Sequence, residues 1–300
     1  MTADNLPRLC FIGFGEAGQA FASGLQEVGV KTQTAWDILF PEAAGERLRE
    51  AARALGVRQA SSAADAVAGA DIVISAVTAA SSLAAAAAAK EHLRPNQFFL
   101  DVNSVSPGRK QETAKLLQGI ARYVDVAVMA PVYPTRHQTP LLLAGDHAET
   151  IEPILRGLDM RTSIAGPEVG AAAAIKMVRS VMIKGIEALC LECFLAASRA
   201  GVEEQIVASL SKSYPGVDWP EVVAYNLERM ASHGARRGAE MEEVADTLRE
   251  LGVAPLMTAG TIERQREMGK IGKAETVRAA LAQGHAEILQ AISKAAADRH

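Results

Sequence analysis

The apolar positions of this chain change period part-way along it, and the change divides the chain in two. Up to about Gly166, short apolar runs alternate with helix-length amphipathic segments. Strands are expected at Leu9–Ile12, 31–37, 57–60, 71–77, 96–102, 123–130, 141–145 and 161–166. The run at 71–77, DIVISAV, is apolar on both faces, as a strand inside a parallel sheet must be. Beyond Gly166 only helical periodicity remains. One long proline-free stretch, 170–200, stops at Gly201, and helices follow at 203–211, 219–231, 240–251, 257–268 and 274–297. The pattern predicts an α/β fold class: a doubly wound Rossmann-type N-terminal domain, residues 1–166, followed by an all-helical C-terminal domain, residues 167–300.

The first strand runs into a glycine turn and a helix. Gly13, Gly15 and Gly18 form G-x-G-x-x-G, in which the first glycine permits the turn, the second admits a pyrophosphate and the third lets helix and strand pack closely. The whole turn, with Phe14, Glu16 and Ala17 between the glycines, is the expected cofactor-binding segment. The helix start adds unpaired N–H groups and a positive dipole end. The next strand ends on Asp37, at the distance where a carboxylate accepts from adenosine ribose hydroxyls. Positions 38–41 are Ile, Leu, Phe and Pro, so no cation waits there for a 2′-phosphate, and Lys31, Arg47 and Arg49 lie elsewhere. NAD is therefore the expected cofactor, with NADP disfavoured. Val77 and Asn103, at the carboxyl ends of two further strands, are also candidate cofactor contacts.

Composition removes other functions. A net charge of −4 and 4% aromatic residues give no surface for nucleic acid. Cys10, Cys190 and Cys193 have no metal-ligand spacing and read as buried thiols of a reducing compartment; no metal is expected. The polar start MTADNLPR does not read as a leader, and the alanine run at 84–89 is too short to span a bilayer, so a cytoplasmic protein without membrane contacts is expected.

Candidate chemistry gathers in three places. Asn103 and Ser104 follow a strand, at the sheet edge that binds ligands, where an amide and a hydroxyl can hold a substrate oxygen; Ser106 reads as a helix cap before Pro107. On the long helix Lys176, Ser180, Lys184 and Glu187 recur at i, i+4, i+8 and i+11, one polar stripe on an apolar helix. For Lys184 and Glu187 an exposed i,i+3 ion pair is an equal alternative. Arg136 and His137 after the 123–130 strand, and His233, Arg236 and Arg237 ahead of a later helix, can meet an anion or simply face water.

Together these segments resemble the β-hydroxyacid dehydrogenases, most of all their 6-phosphogluconate-dehydrogenase-like branch, over nearly the whole length. Gly13 to Gly18 stands where that family has G-x-G-x-M-G, Asp101-Val102-Asn103-Ser104 resembles its Asp…Asn-Ser, and Lys176-Met177-Val178 resembles the Lys-Met-Val around its catalytic lysine. The resemblance implies that Lys176 is the acid/base handling the substrate hydroxyl proton; Asn103, Ser104, Ser180 and Arg236 are the expected substrate contacts. Departures are present. Ser180 replaces the usual Asn, Met129-Ala130-Pro131 stands where Ser-Gly-Gly is expected, and Ile183 replaces a glutamate, with Glu187 one turn further on. The expected function is hydride transfer between NAD and a small hydroxy acid or sugar acid. Alternatives are an imine or keto reductase on the same scaffold, or a catalytically silent dinucleotide sensor. The long apolar helix also predicts a homodimer.

Overall fold

Alternation along the strands sends side chains to both faces of one sheet. Residues 6–297 are described by the structure, a computed structural model. The chain runs through β1 (Leu9–Ile12), α1 (Glu16–Glu27), β2 (Gln33–Trp36), α2 (Glu46–Ala54), β3 (Arg58–Gln59), α3 (Ala63–Val67), β4 (Ile72–Ser75), α4 (Ser82–Lys90), β5 (Phe98–Asp101), α5 (Pro107–Leu117), β6 (Arg122–Val128), β7 (Leu141–Ala144), α6 (Ala148–Gly157) and β8 (Thr162–Gly166). The strand order is β3-β2-β1-β4-β5-β6-β7-β8. All neighbours are parallel except β6 and β7, which pair antiparallel. One apolar layer takes Leu9, Phe11, Ile72, Ile74, Phe98 and Leu100 against α1 and α6. The other takes Cys10, Ile12, Val73 and Phe99 against α3, α4 and α5. This is the doubly wound sheet read from the apolar runs.

The remaining elements are helices: α7 (Ala171–Ala200), α8 (Glu203–Ser213), α9 (Trp219–Glu250), α10 (Leu256–Ile271), α11 (Glu275–Ala280) and α12 (His285–Ala297). Packing divides the chain into two compact units, Met1–Met177 and Val178–His300, so the division falls inside α7, whereas the composition changes at Gly166-Pro167. In the second unit Leu191, Phe194, Val223, Leu227, Met230, Met268, Ile288 and Leu289 form the core. Cys10 and Cys190 are buried, one in each unit, and Cys193 is exposed.

Two helices differ from the sequence reading. The segments expected at 219–231 and 240–251 are one helix of 32 residues, α9. Gly234 and Gly238 do not break it. A Cβ on Gly234 would lie 2.3 Å from the Gln265 carbonyl oxygen, and one on Gly269 would lie 2.3 Å from the Ala235 nitrogen. The glycines are there because α9 and α10 cross with their backbones in contact, which offsets the low helix propensity of glycine. Conversely, the helix expected over 274–297 is divided into α11 and α12 by a turn ahead of Gly284.

Candidate active site

The three glycines differ in their surroundings as their separate roles require. Gly13 has φ +89°, and a Cβ there would lie 2.4 Å from the Ala76 carbonyl oxygen and 2.8 Å from a Val77 methyl. A Cβ on Gly18 would lie 2.6 Å from the Gly13 carbonyl oxygen, so this glycine seats α1 against the turn. Gly15 faces open space, at the N-cap of a helix whose first turn no side chain caps. A dianionic pyrophosphate fits such a position. Phe14 points inward, packed among Phe11 and Phe40. Its N–H donates to Asp37 Oδ2 at 2.8 Å, and Leu39 N–H donates to Asp37 Oδ1 at 3.0 Å. Asp37 thus fastens the glycine turn to the end of β2. The nearby Arg49 is engaged with Glu46 and with the Phe40 and Glu42 carbonyls.

At the exits of β4 and β5, Asn103 is 4% exposed, and its side chain is directed into the fold. Its Oδ1 accepts from Val77 N–H at 2.7 Å, while its amide donates to Ser75 Oγ at 3.0 Å and Asp101 Oδ1 at 2.7 Å. Asn103 therefore braces the two strand ends and sets the backbone at Val77. Ser106 caps α5, accepting from Arg109 N–H at 3.3 Å.

Beside this brace lies a buried charge cluster that the sequence reading missed. Lys110, Asp101 and Asp125 are each 1% exposed or less. The Lys110 ammonium lies 3.1 Å from Asp101 Oδ1 and 3.5 Å from Asp125 Oδ1, and donates to the Asp101 carbonyl at 2.5 Å. Tyr123 donates its hydroxyl to Asp101 Oδ2 at 2.9 Å; burial and then the two carboxylates hold this phenol well above its ordinary range. The signal was present in the sequence as an aspartate inside the otherwise apolar strand YVDVAVMA. The second oxygen of Asp125 accepts from Gly170 N–H at 3.0 Å and Ala173 N–H at 3.2 Å, the beginning of α7.

One turn further along α7, half-buried Lys176 donates to Ser104 Oγ at 2.5 Å. The first unit contains the glycine turn, Asp37, Val77, Asn103, Ser104 and Lys176. Within it Asp37 holds the glycine turn, Asn103 holds the Val77 N–H, and Lys176 meets Ser104.

In the second unit the polar stripe of α7 does not face water. Lys184 is buried, lies 3.2 Å from Glu240 Oε2 and donates to Ser180 Oγ at 3.3 Å. Burial lowers its pKa, and Glu240 works against that. Glu187 pairs with Arg237 and accepts from Gln265 at 2.7 Å. The i,i+3 pair between Lys184 and Glu187 is thus replaced by partners on α9 and α10. Arg236 is exposed and faces Glu240 at 3.9 Å. In the first unit, Arg136 forms a bidentate pair with Glu27 at 2.6 Å, and His137 is buried against Gly24. Neither ring nitrogen of His137 has a hydrogen-bond partner.

Comparison with known proteins assigns the family. A family model described as "NADP oxidoreductase coenzyme F420-dependent" matches residues 8–104, and one described as a domain of unknown function (DUF1932) matches residues 197–268. A conserved hypothetical protein from Sinorhizobium meliloti 1021 is 36% identical, with a TM-score of 0.77 over 98% of both chains. A conserved protein of unknown function, whose structure was found to resemble 3-hydroxyacid dehydrogenases, is 33% identical with a TM-score of 0.69, over 88% of this chain and 97% of that one. The chain belongs to the 3-hydroxyacid dehydrogenase family. A further relative, the NAD-dependent L-serine dehydrogenase of Pseudomonas aeruginosa, is 24% identical over 71% of this chain and 72% of that protein. As a 3-hydroxyacid dehydrogenase family member, the chain is an NAD(P)-dependent oxidoreductase, and its first unit carries a nicotinamide dinucleotide-binding domain. Among the described residues, no helix is long and apolar enough to cross a membrane, and no group of three or more His, Cys, Asp or Glu is placed to hold a metal ion.

Proposed function

We propose that this protein is a dehydrogenase of small hydroxy acids, with NAD preferred and Lys176 as its acid/base. The observation that carries the reading is the 2.5 Å contact from Lys176 Nζ to Ser104 Oγ, just beyond the carboxyl end of β5. That edge is where a doubly wound sheet binds its ligands. When bound, the nicotinamide supplies the hydride acceptor. Gly13 to Gly18 would hold the pyrophosphate, Asp37 the adenosine ribose, and the backbone around Val77, set by Asn103, the remainder. In oxidation, the neutral Lys176 amine takes the substrate hydroxyl proton; in reduction, the ammonium returns it. Ser104 holds the substrate oxygen within reach of that amine. Asn103 supports the site through the backbone it braces.

A homodimer in the cytoplasm completes the proposal. Its support is an apolar face on α7, where Met182 is 64% and Leu189 58% exposed, beside a groove of about 760 Å³ that Met257 and Thr261 of α10 also line. The relatives direct the choice of substrate panel: L-serine and short 3-hydroxy acids with NAD and NADP, followed by nicotinamide fluorescence. Lys176→Ala is expected to bind cofactor as the parent does while turning over ~10²-fold or more slowly. Turnover within a few-fold of the parent removes Lys176 from the mechanism. Cofactor binding with no turnover on hydroxy acids, keto acids or imines identifies a sensor instead.

A further inference from the structure

We propose that Asp125, held by Lys110, positions Lys176 by tying the start of α7 to β6. The proposal rests on the reading of Lys176 as acid/base only for its importance; the geometry stands independently. Asp101 and Asp125 are register partners on adjacent parallel strands, so two carboxylates sit side by side in the interior. Two such groups repel unless a cation lies between them, and Lys110 is that cation. Each carboxylate then has one oxygen left for another task. Tyr123 occupies that of Asp101, whereas that of Asp125 takes two N–H groups from the first turn of α7. The cluster carries one more negative than positive charge, and the positive end of the helix faces the excess.

Lys176 is three residues beyond Ala173, so it shares a helix face with the anchored N–H, about 4.5 Å further along the axis. A helix is stiff over one turn, and any tilt of its start is therefore transmitted to the lysine. Apolar side chains of similar volume would serve stability at least as well as a buried ion cluster. What they could not do is hold two particular N–H groups at a fixed point. Asp125 is thus a positioning residue, acting on Lys176 through the helix.

The test is the titration of Lys176 in the full chain, followed by NMR after reductive ¹³C-methylation of the lysines and assigned by loss of the signal in Lys176→Arg. Asp125→Asn leaves Lys110 and Asp101 as a balanced pair, so the fold is retained; Asp125→Ser is the second variant should Asn disturb it. The expected result is that the Lys176 titration moves by about half a pH unit or more, while the lysines other than Lys110, which loses a partner of its own, stay in place. A Lys176 titration that moves less than this in both variants, or that moves together with all the other lysines, overturns the proposal. The two readings fail separately. If Lys176→Ala stays active although Asp125→Asn moves the titration, the acid/base role fails alone. If Lys176→Ala is inactive and the titration stays in place, the positioning role fails alone.

Discussion

Both oxygens of the Asp37 carboxylate already accept a backbone N–H, from Phe14 and Leu39, and their remaining lone pairs are what a ribose would meet. A 2′-phosphate would bring a second anion to the same place, with exposed Ile38 beside it and the nearby Arg49 already engaged with Glu46 and the Phe40 and Glu42 carbonyls. If the proposed preference holds, kcat/KM with NAD is expected to exceed that with NADP by ~10- to 100-fold, which corresponds to roughly 1.4–3 kcal/mol. Asp37→Ser with Ile38→Arg is expected to narrow or reverse the preference. It should also lower stability by about 1 kcal/mol, since serine cannot accept from both N–H groups. Steady-state kinetics with both cofactors decide the first point and thermal melting the second; equal use of NADP by the parent removes Asp37 from cofactor choice. His137 makes a different kind of prediction. Burial lowers its pKa from the ordinary 6.5, with Asp159, 3.9 Å away, pulling weakly the other way and Arg136 and Glu27 nearby. The unfolded chain then binds the proton more readily than the folded one. Stability from this residue is full above pH 6.5 and declines as the pH falls below it. Melting of the parent should weaken more steeply between pH 7 and 5 than that of His137→Leu; parallel curves would show that the imidazole is not the group responsible.

At the level of elements, Gly15 and Gly234 are glycines for opposite reasons. Gly15→Ala adds a methyl to open space, so the fold should tolerate it while cofactor binding weakens. Gly234→Ala puts a methyl into the Gln265 carbonyl, and the crossing of α9 and α10 must open. A loss of ~1–3 kcal/mol is expected from denaturant unfolding, and a neutral result would mean that the two backbones are not in contact. This difference also explains what the sequence made legible. Strands and the glycine turn are local patterns: β-branched runs and a motif with a fixed period announce themselves wherever the chain goes. The stretch between the helices expected at 219–231 and 240–251 holds Gly234 and Gly238, whose reason lies about 30 residues away on α10, and nothing nearby carries it. The same holds for the site. Lys176 and Ser104 could be singled out from where each stood relative to a strand or helix. Lys110 looked like any helix lysine, and its two carboxylates belong to different strands. Only pairing of the strands in register makes the cluster visible.

For the molecule as a whole, assembly is the open property that can be measured most directly. The face carrying Met182, Ile186 and Leu189 is more apolar than a helix facing only water requires. Sedimentation at micromolar concentration should give twice the mass of the chain, and a monomer there argues against the dimer. The three thiols add a clock to that measurement. Cys193 continues the same stripe of α7, one turn beyond Leu189, so a partner copy would shade it and dilution would bare it. Cys10 and Cys190 are inert while folded, since burial raises both thiols above their ordinary range and lowers the share of reactive thiolate. One is in a strand of the first unit and the other in a helix of the second. Timed alkylation read by mass would therefore record three separate events from the unaltered protein: separation of copies, opening of the sheet and opening of the helical unit.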